Sequence, residues 1–251
     1  MALRLITTRL GSLTARVVDD DSRTGPPSLV AVICHGYGAP GDDLVSVAAE
    51  LCSVEPDLIG AVRFVFPEAP LQLPELPFQG RAWWPIDMMA LQRAMMTGAE
   101  RAMADEAPDG LPAARQALLG LIDAVLLQTG LTMDRVFLGG FSQGAMLATD
   151  TALRLDEAPA GLAVLSGTLL NQVEWQRLAT RRRGLHVVQS HGRADPLLPF
   201  SGALALKAVL EGAGLQVDFH PFAGGHGIDG GVIEALAAAL LASVHRIADG
   251  R

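Results

Sequence analysis

Cysteine, charge and aromatic side chains are all scarce in this chain, and basic residues are outnumbered. Cys34 and Cys52 are the only two cysteines in 251 residues. Without CxxC or Cys/His spacing they build neither a disulfide framework nor a metal site, and both read as small buried hydrophobes. Charged residues make up 18% against 50% apolar ones, which excludes disorder because there is ample surface to bury against chain entropy. Lysine and arginine total 19 against 27 acidic residues, a net charge of −8. Such a chain repels phosphate backbones and anionic headgroups, which argues against a nucleic-acid partner. Mean hydropathy is +0.32, yet the longest apolar stretches, such as 235–244, stop well short of about 20 residues, so no segment is expected to span a bilayer. Arg4 and Arg9 interrupt the N-terminal apolar residues and no small-residue cleavage site follows, so a cytoplasmic protein is expected.

What is present is a rhythm. Short β-branched runs alternate with longer Ala/Leu-rich stretches, the pattern of strand–helix repeats around a mostly parallel sheet. Residues 3–9 and 13–18 flank Gly11-Ser12 and predict an opening antiparallel hairpin. Buried strands are expected at 29–34, 61–66, 135–138, 161–165, 186–190 and 216–220, and helices at 43–51, 86–103, 111–127, 142–153, 202–211 and 231–246. The fold class expected is therefore α/β, a mostly parallel sheet with helices on both faces. Pro67, Pro70, Pro74 and Pro77 break the rhythm, and 68–84 reads as a long ordered loop without regular structure. At about 150 residues per domain the length allows one large domain or two small ones.

The most informative pentapeptide is Gly140-Phe141-Ser142-Gln143-Gly144, set between a predicted strand and a predicted helix. A nucleophilic serine must stand on a sharp strand-to-helix turn, and glycines flank it because side chains there would collide with neighbouring backbone. The helix N-terminus brings N–H groups and a positive dipole end to the hydroxyl, where an oxyanion would form. A serine hydroxyl needs a base, and the base an orienting acid, in the chain order serine, acid, histidine. That order excludes His35. Among the acids that follow, Asp150, Asp156 and Glu157 belong to the helix after the elbow or its end, Glu174 lies in a helical run and Asp218 inside a strand. Asp195 follows the strand at 186–190, at the carboxyl end of the sheet where such sites collect. His220 sits in or at the end of a strand and His245 near the end of an amphipathic helix, whereas His226 lies in the loop Gly224-Gly225-His226-Gly227. Ser142, Asp195 and His226 are therefore the candidate nucleophile, acid and base.

An oxyanion hole needs two donors. The N–H of Gln143 supplies one and the N–H of Tyr37, in the loop Cys34-His35-Gly36-Tyr37-Gly38, the other. His35 reads as shaping that loop by hydrogen bonding. Trp83, Trp84, Met88 and Met89 are candidate substrate-binding residues, ordinary core packing being the competing reading. The insert 86–109 holds Met88, Met89, Met95, Met96 and Met103, suited to a lid or an acyl-binding wall because methionine adapts to irregular apolar shapes. Arg181-Arg182-Arg183 reads as a solvated loop.

These blocks carry a resemblance. His35-Gly36-Tyr37-Gly38 with Asp42-Asp43-Leu44, Phe66-Pro67-Glu68-Ala69-Pro70, Ala82-Trp83-Trp84, the elbow, His191-Gly192 with Asp195-Pro196, and Gly225-His226 are similar to the phospholipase/carboxylesterase family of α/β-hydrolases, from about residue 28 to the C-terminus. The resemblance implies an α/β-hydrolase fold, Ser142, Asp195 and His226 as triad, and Tyr37 and Gln143 as oxyanion donors. The chain departs from the family at Trp84 and in the methionine-rich insert, which leaves the substrate undecided. The function expected is hydrolysis of carboxylic esters, thioesters or lysophospholipids through an acyl-enzyme, with no metal or organic cofactor and a small ester or acyl compound as substrate. A single domain over 1–251 suffices, with 68–109 as loop plus insert. The oligomeric state is left open, a homodimer included.

Two rivals come from other classes. Gly36-x-Gly38-x-x-Gly41 after a strand fits a dinucleotide fingerprint and would make an oxidoreductase, although Asp42 and Asp43 would repel pyrophosphate at the helix start. A binding protein of the same shape without activity is the other.

Overall fold

The computed structural model describes residues 3–76, 79–87, 89–90, 93 and 107–248. Strands β1 (Leu3–Leu10) and β2 (Leu13–Asp20) form the opening hairpin, with Leu10 facing Leu13 across the Gly11-Ser12 turn. β3 (Leu29–Cys34) and β4 (Val62–Pro67) enclose helix α1 (Val45–Val54), and a short pair, β5 (Leu71–Gln72) and β6 (Arg81–Ala82), follows. Helix α2 (Leu111–Thr129) leads to β7 (Val136–Phe141), α3 (Gln143–Arg154), β8 (Gly161–Leu165) and α4 (Gln172–Ala179). The chain ends with β9 (His186–Gly192), α5 (Phe200–Gly212), β10 (Gln216–Phe222) and α6 (Gly230–Ala248).

Eight strands form one sheet in the order β1-β2-β4-β3-β7-β8-β9-β10. β2 runs against both neighbours, and every pairing from β4 to β10 is parallel. The central strands are continuous apolar runs because both faces are covered. In β3 the alternation of side chains divides the core. Leu29, Ala31 and Ile33 join Leu51 of α1 with Leu236 and Leu240 of α6, while Val30, Val32 and Cys34 join Leu118 of α2, Leu147 of α3, Trp175 of α4 and Leu206 of α5. This layering sends the loops after β3, β7, β9 and β10 to the same edge, the carboxyl ends of the parallel strands.

Two expectations need correction. The proline-rich loop is not wholly irregular, since Leu71 pairs with Ala82 and Gln72 with Arg81. Residues 71–73 lie between Pro70 and Pro74 and keep their N–H groups, and that of Leu73 also donates to the Gly80 carbonyl at 2.8 Å. Secondly, counting uninterrupted apolar runs understated α2 and α6. Each is 19 residues long, with mean hydropathy 1.2 and 1.5, enough to cross a membrane by length and composition alone. In the fold each lays one stripe on the sheet, Leu118, Leu121, Ile122 and Val125 from α2 and Val232, Ile233, Leu236 and Leu240 from α6. Of the insert, Met88, Met95, Met96 and Met103 lie outside the described residues. Met89 is in helical conformation and exposed.

Candidate active site

β7 ends at Phe141 and α3 begins at Gln143, leaving Ser142 between them at φ 54° and ψ −118°. A positive φ strains a serine by about 1–3 kcal/mol and persists only where the surroundings over-determine it. Here they do. A Cβ on Gly140 would lie 2.3 Å from the carbonyl carbon of Gly144, and one on Gly144 only 2.2 Å from the carbonyl oxygen of Cys34. Strand, helix and neighbouring strand thus close up on bare backbone. The Ser142 N–H donates to the Leu165 carbonyl on β8 at 2.8 Å, which fixes the turn. Gly36 abuts it from the loop after β3, since a Cβ there would stand 3.3 Å from the Ser142 Cβ.

Asp195 and His226 come together from loops after β9 and β10, His226 Nδ1 lying 2.6 Å from Asp195 Oδ2. The other carboxylate oxygen accepts the N–H groups of Leu197 and Leu198 at 2.8 and 2.9 Å. Burial by itself would push the Asp195 carboxyl up, but hydrogen bonds from His191, His226, Leu198 and Leu197 together outweigh it and hold the group well below the usual carboxylate range. It is an ionised acceptor at neutral pH. The His226 ring packs on Phe141, the residue before Ser142, with centroids 4.8 Å apart. The two loops cross at Gly192, where a Cβ would meet the Gly225 carbonyl oxygen at 2.0 Å, and the Ala194 N–H donates to the Gly224 carbonyl at 2.9 Å. Ser166 Oγ donates to the Gly227 carbonyl at 2.9 Å, holding the far side of the His226 loop.

Among the described residues, neither the Tyr37 nor the Gln143 N–H has a hydrogen-bond acceptor, whereas the adjacent Gly38 N–H is taken by the Arg81 carbonyl at 2.7 Å. Gln143 begins α3, whose first N–H groups have no partner within the helix. His35 Nε2 accepts the Ala69 N–H at 3.1 Å, so its proton sits on Nδ1 and is donated to the Gly36 carbonyl at 2.8 Å. Burial pushes the His35 pKa down and keeps the ring neutral. The Tyr37 ring is half-buried, and burial followed by the charge of Glu75 raises its hydroxyl pKa. Trp83 and Trp84 are each 2% exposed and belong to the core. Their link to the site is through backbone. The Gln143 side-chain carbonyl accepts the Trp83 N–H at 2.9 Å while its amide donates to the Trp84 carbonyl at 2.8 Å.

Several residues that organise the site escaped sequence reasoning. Glu68 pairs with Arg16 of β2 at 2.9 Å and with Arg81 of β6 at 2.5 Å, and the Arg81 N–H donates to the Ala39 carbonyl at 3.0 Å. The loop 36–41 is thereby clamped on both edges. Gly41 packs directly on Glu68, a Cβ there falling 2.4 Å from its Cγ. The loop that resembled a dinucleotide fingerprint is thus filled by the chain's own side chains. His191 reaches Asp195 as well; the sequence marked it only as part of the block His191-Gly192 with Asp195-Pro196 and assigned it no role.

Comparison with known proteins gives the family and the fold. Residues 21–243 match the phospholipase/carboxylesterase family. Acyl-protein thioesterase 1 of Mycosarcoma maydis is 33% identical over 185 residues, covering 69% of this chain and 72% of that one. The protein of the same name from Eremothecium gossypii is 29% identical over 185 residues, 74% of each chain. Among solved structures, esterase PE8 superimposes with a TM-score of 0.74 at 26% identity, covering 92% of this chain and 98% of that one. With an elbow serine at the carboxyl edge of an α/β-hydrolase sheet and a family match over most of its length, the chain belongs to the phospholipase/carboxylesterase family and is a serine hydrolase.

Proposed function

We propose that Ser142, Asp195 and His226 are the catalytic triad of a carboxylesterase working through an acyl-enzyme. Asp195 takes the Nδ1 proton side of His226 and leaves Nε2 as the base. His226 removes the Ser142 hydroxyl proton as Oγ adds to the ester carbonyl, and the N–H groups of Gln143 and Tyr37 receive the oxyanion. Collapse of the tetrahedral intermediate breaks the bond to the alcohol, which leaves with the proton from His226. Water then attacks the acyl-enzyme under the same base, the acid is released and the serine regains its proton. The observation that carries this reading is the hydrogen bond between His226 and an ionised Asp195, with the His226 ring packed beside the strained elbow.

Thioesters obey the same sequence of steps, with a thiol as leaving group. The relatives named acyl-protein thioesterase 1 make acylated thiols a class to assay beside oxygen esters. The deciding experiment is a panel of p-nitrophenyl esters of increasing chain length, an acyl-thioester and a lysophospholipid, run on the wild type and Ser142→Ala with a fluorophosphonate label. Ser142→Ala should fold normally, lose labelling and lose about a thousandfold or more in turnover. Undiminished turnover in that variant would sink the mechanism, and no labelling or turnover in the wild type would favour a binding protein.

A further inference from the structure

Asp195 is approached by a second imidazole that the triad does not use. His191, the penultimate residue of β9 before the acid loop, is fully buried. Its Nε2 lies 2.8 Å from the Leu198 carbonyl oxygen and 3.2 Å from Asp195 Oδ2. Neither neighbour brings a proton, since one is a carbonyl and the other an ionised carboxylate. Nε2 therefore carries the hydrogen and shares it between them. Nδ1 is buried without a partner among the described residues.

On this basis we propose that His191 is a positioning residue for the triad acid: as an Nε2–H donor it locks the 195–198 turn onto β9 and faces Oδ2 beside His226. The inference rests on the triad reading above. It has a direction. Oδ2 accepts from His226 Nδ1 at 2.6 Å and stands 3.2 Å from His191 Nε2, so charge drawn toward His191 is not available to stabilise the His226 imidazolium. Taking the His191 donor away concentrates that charge on His226 and makes it a stronger base. Aromatic rings flank the pair. Phe141 packs on His226, and Phe200 of α5 lies 6.1 Å from the His191 ring and 6.0 Å from Phe219 of β10. The Arg193 guanidinium stands 5.1 Å above the Phe200 ring.

The test compares kcat/KM against pH for the wild type, His191→Leu and His191→Gln. His191→Leu should move the acid limb up by about one pH unit, the size expected when one hydrogen bond to a charged acceptor is lost. His191→Gln, which carries an amide N–H to the same place, should leave the limb near its wild-type position. An unmoved limb in His191→Leu overturns the proposal, as does an equal shift in both variants, which would report packing alone. Should His191→Leu fail to fold, nitrogen NMR of the wild-type imidazoles decides. A ring protonated on Nε2 that responds to Asp195→Asn is expected, and protonation on Nδ1 alone refutes it. That readout is independent of turnover, so failure of the triad shows separately as retained activity in Ser142→Ala.

Discussion

Replacing Gly192 by alanine tests whether the crossing of two loops governs catalysis. The new methyl carbon would stand 2.0 Å from the Gly225 carbonyl oxygen and 2.5 Å from that of Gly224. Both obstacles are backbone, so no side chain can swing aside. To restore even the shortest tolerated contact, the 224–226 segment must retreat by about 1 Å, and a misplacement of that size in a catalytic group costs on the order of 100-fold in rate. His226 follows Gly225 directly and holds Asp195 at only 2.6 Å, so the retreat lengthens the hydrogen bond that orients the base. The expected outcome is a fall of about 100-fold in kcat with KM changed little, because the displaced groups serve the chemical step rather than substrate binding. The assay is steady-state hydrolysis of a p-nitrophenyl ester, with circular dichroism and a melting curve to show that the variant is folded. A folded Gly192→Ala enzyme with kcat within about threefold of wild type would refute the reasoning, since a 1 Å shift cannot be so harmless.

Other outcomes follow from the same structure. Asp150, fully buried on the helix behind the elbow, accepts from Trp175 Nε1 at 2.9 Å and Arg154 Nε at 3.1 Å and also pairs with Arg115. Asp150→Ala takes the acceptor from Trp175 Nε1 and the carboxylate from Arg115, while Arg154 keeps its ion pair with Glu174 at 3.2 Å. Because the arginines reach water, the loss should fall near the low end for a broken buried pair, about 3 kcal/mol, lowering Tm by roughly 6–12 °C. His35 has its folded pKa below the unfolded value because burial disfavours the charged ring. Its contribution is complete above about pH 6.5 and is lost as the pH falls, since the unfolded chain takes up the proton first, at a slope of at most about 1.4 kcal/mol per pH unit. Denaturant unfolding between pH 7 and 5 should therefore show a shallower decline in His35→Gln than in the wild type. Identical slopes would exclude His35 as the titrating group.

Much of the candidate site was legible in the linear order of residues, because most of its signals are local. Ser142 is marked by the glycines on either side: a Cβ on Gly140 would strike Gly144 in the same segment, and one on Gly144 would strike Cys34 of β3. Asp195 and His226 were marked by position, each in a loop just after a β-branched strand, and the order serine, acid, histidine needs no knowledge of distance. The β-branched runs and Ala/Leu stretches likewise announced a parallel sheet covered on both faces, since a strand buried on both sides must be apolar throughout. The strand ends were less legible. β7 runs through Gly139 and Gly140 to Phe141 and β10 through Pro221, residues with poor strand propensity that are held there by the neighbouring strand or tolerated at a sheet edge.

Only the tertiary structure decided which side chains serve the site and from which side. Trp83 and Trp84 belong to the core, and their backbone rather than their rings clasps Gln143, 60 and 59 residues away. The salt bridges of Glu68 to Arg16 and Arg81 clamp the Tyr37 loop from two other strands, and His191 faces the same oxygen of Asp195 as His226. The reason is physical. Periodicity and turn chemistry are imposed by backbone geometry over a few residues, so they are written in the chain at that range. A hydrogen bond between residues tens of positions apart exists only after loop-closure entropy has been overcome by burial elsewhere, and no local pattern records which partner will be there.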